Sequence, residues 1–263
     1  MARAAKPRED KDKPRDLRTG IALLWGEQDP PARGPKPSLT PRRIAEAAVT
    51  LADAEGLEAV SMNKVAAAFG VSAMALYRYV PGKAELIELM VEAVLAEHPD
   101  LSAAGPGWRP RIAAWAHRQW AVYQAHLWLL PATAMRRHLI GPNQLAWMDA
   151  AIAALEPTGL AAPQRHQVFL LVAGHVRNQA QQLADFDEDH NQEWGHLTGE
   201  LLNRDAARFP ALTTAIAEGA FAPTELDPLD FGLDRILDGV QVLIDRAEDT
   251  LIVKRNLPQP KVG

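Results

Sequence analysis

The residues of this chain best suited to chemistry fall within seven positions: Tyr77, Arg78, Tyr79 and Lys83. A guanidinium makes paired bonds to a guanine edge or to phosphate, and phenolic hydroxyls bond phosphate oxygens. A lysine at a helix start adds its charge to free backbone N–H groups. This is binding chemistry. No Gly-rich phosphate loop, nucleophile elbow or His-Glu-x-x-His accompanies it. Asp185-Phe-Asp-Glu-Asp-His190 begins like a calcium loop, but His190 takes the place of the glycine that the loop needs. His166 and His175 are spaced off a shared helix face, so no metal set forms. The expectation is no enzyme, no cofactor and no metal.

The elements that position the cluster are legible around it. Ser61 caps a short helix whose apolar face is Val65, Ala66 and Phe69. Gly70 suits the left-handed turn that ends it, and Val71 plugs the turn into a core. Ser72 is expected to cap a second helix that runs to Tyr79, because Pro81 disfavours helix at Val80. Leu76 points inward, leaving Ser72, Ala73, Met74, Ala75, Tyr77 and Arg78 outward. The spacing is that of a helix-turn-helix, whose second helix enters the major groove of DNA. Lys83 opens the next helix, expected to run to His98 before Pro99. Upstream, Thr40 and Pro41 start a helix that Gly56 closes, with Ile44, Ala48 and Leu51 inward. Arg42 and Arg43 at its start, with Ser61, Asn63 and Lys64, complete the candidate DNA contacts.

Phe69-Gly-Val-Ser72 followed by Leu76-Tyr-Arg-Tyr-Val-Pro-Gly-Lys-Ala-Glu-Leu86 resembles the DNA-binding end of the tetracycline-repressor (TetR) family of bacterial regulators. Ile44–Leu57 is similar to that family's first helix and its closing glycine. The resemblance is strong over 39–98 and weaker over 106–255. It implies an all-α chain, with a three-helix helix-turn-helix domain and a C-terminal helical bundle for regulation and dimerisation. It also implies a homodimer that binds a double-stranded operator and leaves it when a small molecule binds. His98 stands near the family's ligand histidine, but Pro99 breaks the pattern, so the tetracycline-contacting residues are not carried over.

Charge agrees with this division. The 263 residues carry net −5, yet residues 1–83 hold 14 Lys/Arg against 10 Asp/Glu. A basic first part on an acidic body places phosphate at the first part alone. The absence of cysteine excludes disulfides and suits a reducing cytoplasm, the expected location. No apolar run is long enough to span a bilayer, so no membrane partner is expected. Nor does the start of the chain have the apolar core of a signal peptide.

The expected domains are a basic, Pro-rich and largely flexible tail over 1–38, the DNA-binding domain over 39–85, the bundle over 86–255 and a short tail over 256–263. The first tail contains one apolar island, Ile21–Trp25, and nine basic residues, of which Arg33 and Lys36, close before the next helix, are placed to serve as an arm on DNA. Further helices are expected over 108–125, 128–138, 142–156, 163–187, 194–208, 209–219 and 228–252, separated by Pro and Gly. Val168 and Val172 on one long helix, and Leu233, Leu237, Val240 and Ile244 on the last, recur at helical spacing and are the expected dimer face. Trp115, His126, Met135, Asn143, Trp147, Leu171, His175 and Asn178 are the candidate effector contacts, apolar walls with a few polar groups. Two other readings stay open: a constitutive DNA-binding protein with no effector, and a helical carrier or enzyme with an incidental helix-turn-helix.

Overall fold

The computed structural model describes residues 17–26, 39–134, 139–184, 188–222 and 225–256, and among these there are helices but no strand. They fall into two compact units, one within Met1–His98 and Pro131–Met148, the other within Pro99–Leu130 and Asp149–Gly263. The fold class is therefore all-α, as the patterning predicts.

The first unit contains α1 (Leu17–Leu24), α2 (Pro41–Glu55), α3 (Met62–Ala68), α4 (Ala73–Leu76) and α5 (Lys83–Val94). The local signals act as expected at three ends. Thr40 Oγ1 accepts from the Arg43 N–H at 3.2 Å, and Ser61 Oγ accepts from the Lys64 N–H at 3.3 Å. Gly70 holds φ 65°, the left-handed turn between α3 and α4. Ser72 differs: it precedes α4 but makes no side-chain cap bond.

Three elements of this unit depart from the sequence expectation. Helix α4 ends at Leu76, short of Tyr79, and residues 77–79 form the turn that follows. The apolar island of the tail is the end of a helix, α1, which buries Leu23 and Leu24 and packs on α5. Helix α5 ends at Val94, short of His98. Its last carbonyls are claimed by side chains: Asn143 Nδ2 donates to Glu92 O at 2.8 Å and Trp147 Nε1 to Leu95 O at 3.1 Å. Every residue of α5 from Leu86 to Glu92 is buried, which is broader than the single apolar stripe of a surface helix. A helix buried all round needs cover on every side. Among the described residues, α1, α2 and the chain from Leu139 to Trp147 supply it. The structure thus groups α5 and 131–148 with the DNA-reading helices, where the sequence places the boundary after residue 85.

Two helices run through the unit boundary in sequence: α7 (Leu129–Thr133), shorter than the expected 128–138, and α8 (Pro142–Leu155). The second unit contains α6 (Trp108–Ala125), α9 (Ala162–Ala184), α10 (Glu188–Arg204), α11 (Pro210–Ala217) and α12 (Pro228–Asn256). Its core is the packing of α6 and α12 against α9, through Ile112, Trp115, Val168, Val172, Leu233 and Leu237. Arg109 on α6 reaches Asp234 at 3.0 Å and Asp238 at 2.8 Å on α12, and His117 Nε2 stands 2.6 Å from Asp230 Oδ1.

Candidate nucleic-acid interface

The reading head is built by local rules. Leu76 and Val80 are fully buried, which fixes which side of α4 faces outward. Tyr77 and Arg78 are exposed, as is Met74 at 75%. Ala73, Ala75 and Tyr79 are half-buried, so they support the face more than they project from it. Among the described residues Arg78 and Lys83 have no ion-pair partner. Their charges are thus available to an external anion. Lys83 is the first residue of α5, following Gly82 in extended backbone with no side-chain cap. The first N–H groups of α5 and the lysine ammonium gather at this helix start, a setting that suits phosphate, and the Glu85 carboxylate of the same turn stands beside them.

The remaining basic candidates are engaged within the chain. Arg42 Nε bonds Glu46 Oε1 at 2.8 Å, and Lys64 Nζ bonds Glu55 Oε2 at 2.7 Å. Both pairs are exposed, and such pairs exchange partners at little cost. The Arg43 guanidinium lies 5.8 Å from the centroid of the Phe69 ring, joining the start of α2 to the end of α3. Asn63 is exposed on α3, and Ser61 and Ser72 flank the two short helices. Arg33 and Lys36 lie outside the described residues.

Of the eight candidate effector contacts, the seven within the described residues are divided between the two units. Asn143 and Trp147 belong to the first unit, where Asn143 bonds Glu92 on α5 and Trp147 bonds Leu95 just past its end. In the second unit Trp115 is buried with its ring edge-on to Phe169, centroids 5.7 Å apart. His126 ends α6, its ring 5.9 Å from that of Trp128. His175 is committed to helix packing: its Nε2 donates to Leu229 O at 2.9 Å. Asn178 is exposed and accepts from Gln182. Leu171, 58% exposed, faces outward. Met135 lies outside the described residues. Phe169 escaped the sequence reading because it is one position off the Val168–Val172 stripe; only contact with Trp115 reveals it.

The residues of the expected dimer face lie on α9 and α12. Val168, Val172, Leu233, Leu237, Val240 and Ile244 are all buried within one chain. They are the seam that holds α9 against α12. Beside that seam runs an open apolar groove to which Leu171, Ile236, Gly239 and Leu243 contribute. Helical spacing finds an apolar stripe, but it cannot tell which edge of a broad stripe remains uncovered.

Comparison with known proteins agrees with this architecture. The family model for "Bacterial regulatory proteins, tetR family" matches residues 44–90. That for "Tetracyclin repressor-like, C-terminal domain" matches 101–244. The chain is 36% identical over 239 residues to the HTH-type transcriptional repressor DrrR1 of Streptomyces coeruleorubidus, covering 87% of each. Among solved structures, ActR of Streptomyces coelicolor in complex with actinorhodin is 27% identical, with TM-score 0.67, over 78% of this chain and 96% of that one. Apo ActR is 25% identical with TM-score 0.68, over 81% of this chain and all of that one (100%). With both halves matched, the chain belongs to the TetR family of bacterial transcriptional regulators.

Proposed function

We propose that this regulator is a homodimeric repressor that binds a palindromic operator and is released by a small molecule. The observation that carries the reading is the pairing of an exposed face, Met74, Tyr77 and Arg78, with the helix start at Lys83, both held by the buried Leu76 and Val80. Arg78 supplies direct readout, Met74 contacts thymine methyls, and Tyr77, Tyr79 and Lys83 hold phosphates. Arg42, Arg43, Ser61, Asn63, Lys64 and Ser72 border this face and add backbone contacts. One such head spans few base pairs. Two heads related by a two-fold axis read half-sites about 34–36 Å apart. The exposed groove between α9 and α12 is the surface through which two copies meet.

Repression follows from the kinship with DrrR1, described as a repressor. Release by an effector follows from ActR, solved both with actinorhodin and with (S)-DNPA. The effector acts by binding more tightly to a dimer whose heads are misplaced for the operator. Among the described residues no helix is long and apolar enough to cross a membrane. The test is selection of binding sites from random duplex DNA by the purified chain. A palindrome should emerge; sites with one half alone, or none, would overturn the reading.

A further inference from the structure

Helix α8 starts in an unusual way. The residue before it is Gly141, which has no side chain to cap with, and its first residue, Pro142, has no N–H. The orphan donors of its first turn are taken instead by a carboxylate from another helix. Glu92 on α5, only 6% exposed, accepts from the Asn143 N–H at 2.8 Å and from the Gln144 N–H at 3.2 Å. Gln144 Nε2 adds a third bond at 3.1 Å. In return Asn143 Nδ2 donates to the backbone carbonyl of Glu92. One turn earlier on α5, Glu88 accepts from the Leu139 N–H at 3.0 Å. Gly141 is what allows the approach: a Cβ there would stand 2.6 Å from each carboxylate oxygen of Glu92.

A local serine or aspartate would cap α8 at no cost in long-range order. A cap supplied from 51 residues away makes the helix start depend on where α5 lies. Charge and geometry favour the closed arrangement, since an anion suits a helix N-terminus. Partial opening is disfavoured, because a buried carboxylate deprived of its donors is costly. The contact is therefore made or broken as a unit. Helix α5 begins at Lys83 of the reading head, and α8 continues to Leu155.

We infer that Glu92 is a positioning residue: its bonds to the start of α8 set the pose of α5 and hence the spacing of the two reading heads. This rests on the dimeric, palindrome-binding function proposed above. The test compares two operators, the one selected by the wild-type chain and the same sequence with two base pairs inserted at its centre. The full-length wild type should prefer the first by a factor within about 5- to 150-fold, the usual range of conformational coupling. Glu92→Gln, nearly isosteric, and Gly141→Ala, which acts from the other partner, should each shrink that ratio towards one. Both variants should remain dimeric. A merely structural role would lower the melting temperature and weaken both operators alike, leaving the ratio intact; that result overturns the proposal. A wild type that binds the palindrome but ignores the insertion overturns it too. A wild type that binds no palindrome overturns the functional reading, and this one with it.

Discussion

Gly232 on α12 lies flush against the imidazole of His175 on α9: a Cβ at position 232 would overlap the ring, whose Nε2 donates to Leu229 O. The histidine is thus a strut between two helices. Gly232→Ala is expected to destabilise by about 1–3 kcal/mol, the usual cost of overfilling a packed contact. At about 2–4 °C per kcal/mol, the melting temperature should fall measurably. The same substitution at Gly174 on α9, where a Cβ meets nothing within 4 Å, is the control. Equal melting temperatures for the two variants would show that the close approach has no energetic weight.

The contrast between these positions shows what a sequence can carry. Thr40, Ser61 and Gly70 act within three or four residues of themselves, so their roles were readable from spacing alone. Arg78 was readable because the buried Leu76 fixes the inward side and Pro81 closes the segment, although α4 ends at Leu76 and Arg78 lies in the turn after it. His175 and Glu92 were not, since their partners lie 54 and 51 residues away. The same is true of α1. Its composition reads as tail with an apolar island, and only docking of Leu23 and Leu24 makes it a helix of the first unit. Val168 and Leu171 illustrate a third case. Both belong to one apolar stripe, yet the first is buried and the second exposed, because the packing angle of α12 decides where the stripe is covered.

Acid should loosen the contact between α6 and α12. Hydrogen bonds from Arg235 and then from Arg109 hold the Asp238 carboxyl below its ordinary value of 3.8. A carboxylate depressed in the folded state contributes stability that is present above the ordinary value and lost as pH falls through the depressed one. Asp238→Asn should therefore melt below wild type at neutral pH, and the gap should close as the solution is acidified. Solvent exposure of both partners keeps the effect small. Thermal melts across the acid range check it, and a gap that widens on acidification would contradict the assignment.

Arg78 and Lys83 should separate by the kind of loss they cause. Arg78→Ala removes base readout and is expected to cost about 1–3 kcal/mol per head on the selected operator, with little change on random DNA. Lys83→Ala removes a phosphate contact. It should weaken binding to all sequences alike and reduce the salt slope by about one unit per head. Operator titrations at several salt concentrations, each repeated on random duplex, distinguish the two. Loss of sequence preference with Lys83→Ala and not with Arg78→Ala would exchange their roles.

The groove beside the α9–α12 seam gives the sharpest test of assembly. Leu171 is exposed there, so a charge at this position costs one chain little by itself. Leu171→Glu should leave the melting of the isolated fold close to wild type yet disfavour pairing, because two copies would meet around an unpaired buried carboxylate. Val172→Glu differs: Val172 is 1% exposed, and a charge there should destabilise the chain itself. Sedimentation should find Leu171→Glu shifted to the monomer. Operator affinity should then fall by about a hundredfold or more, since each head would bind without the second tethered beside it. A Leu171→Glu chain that stays dimeric and keeps its operator affinity would move the interface to another face of the bundle.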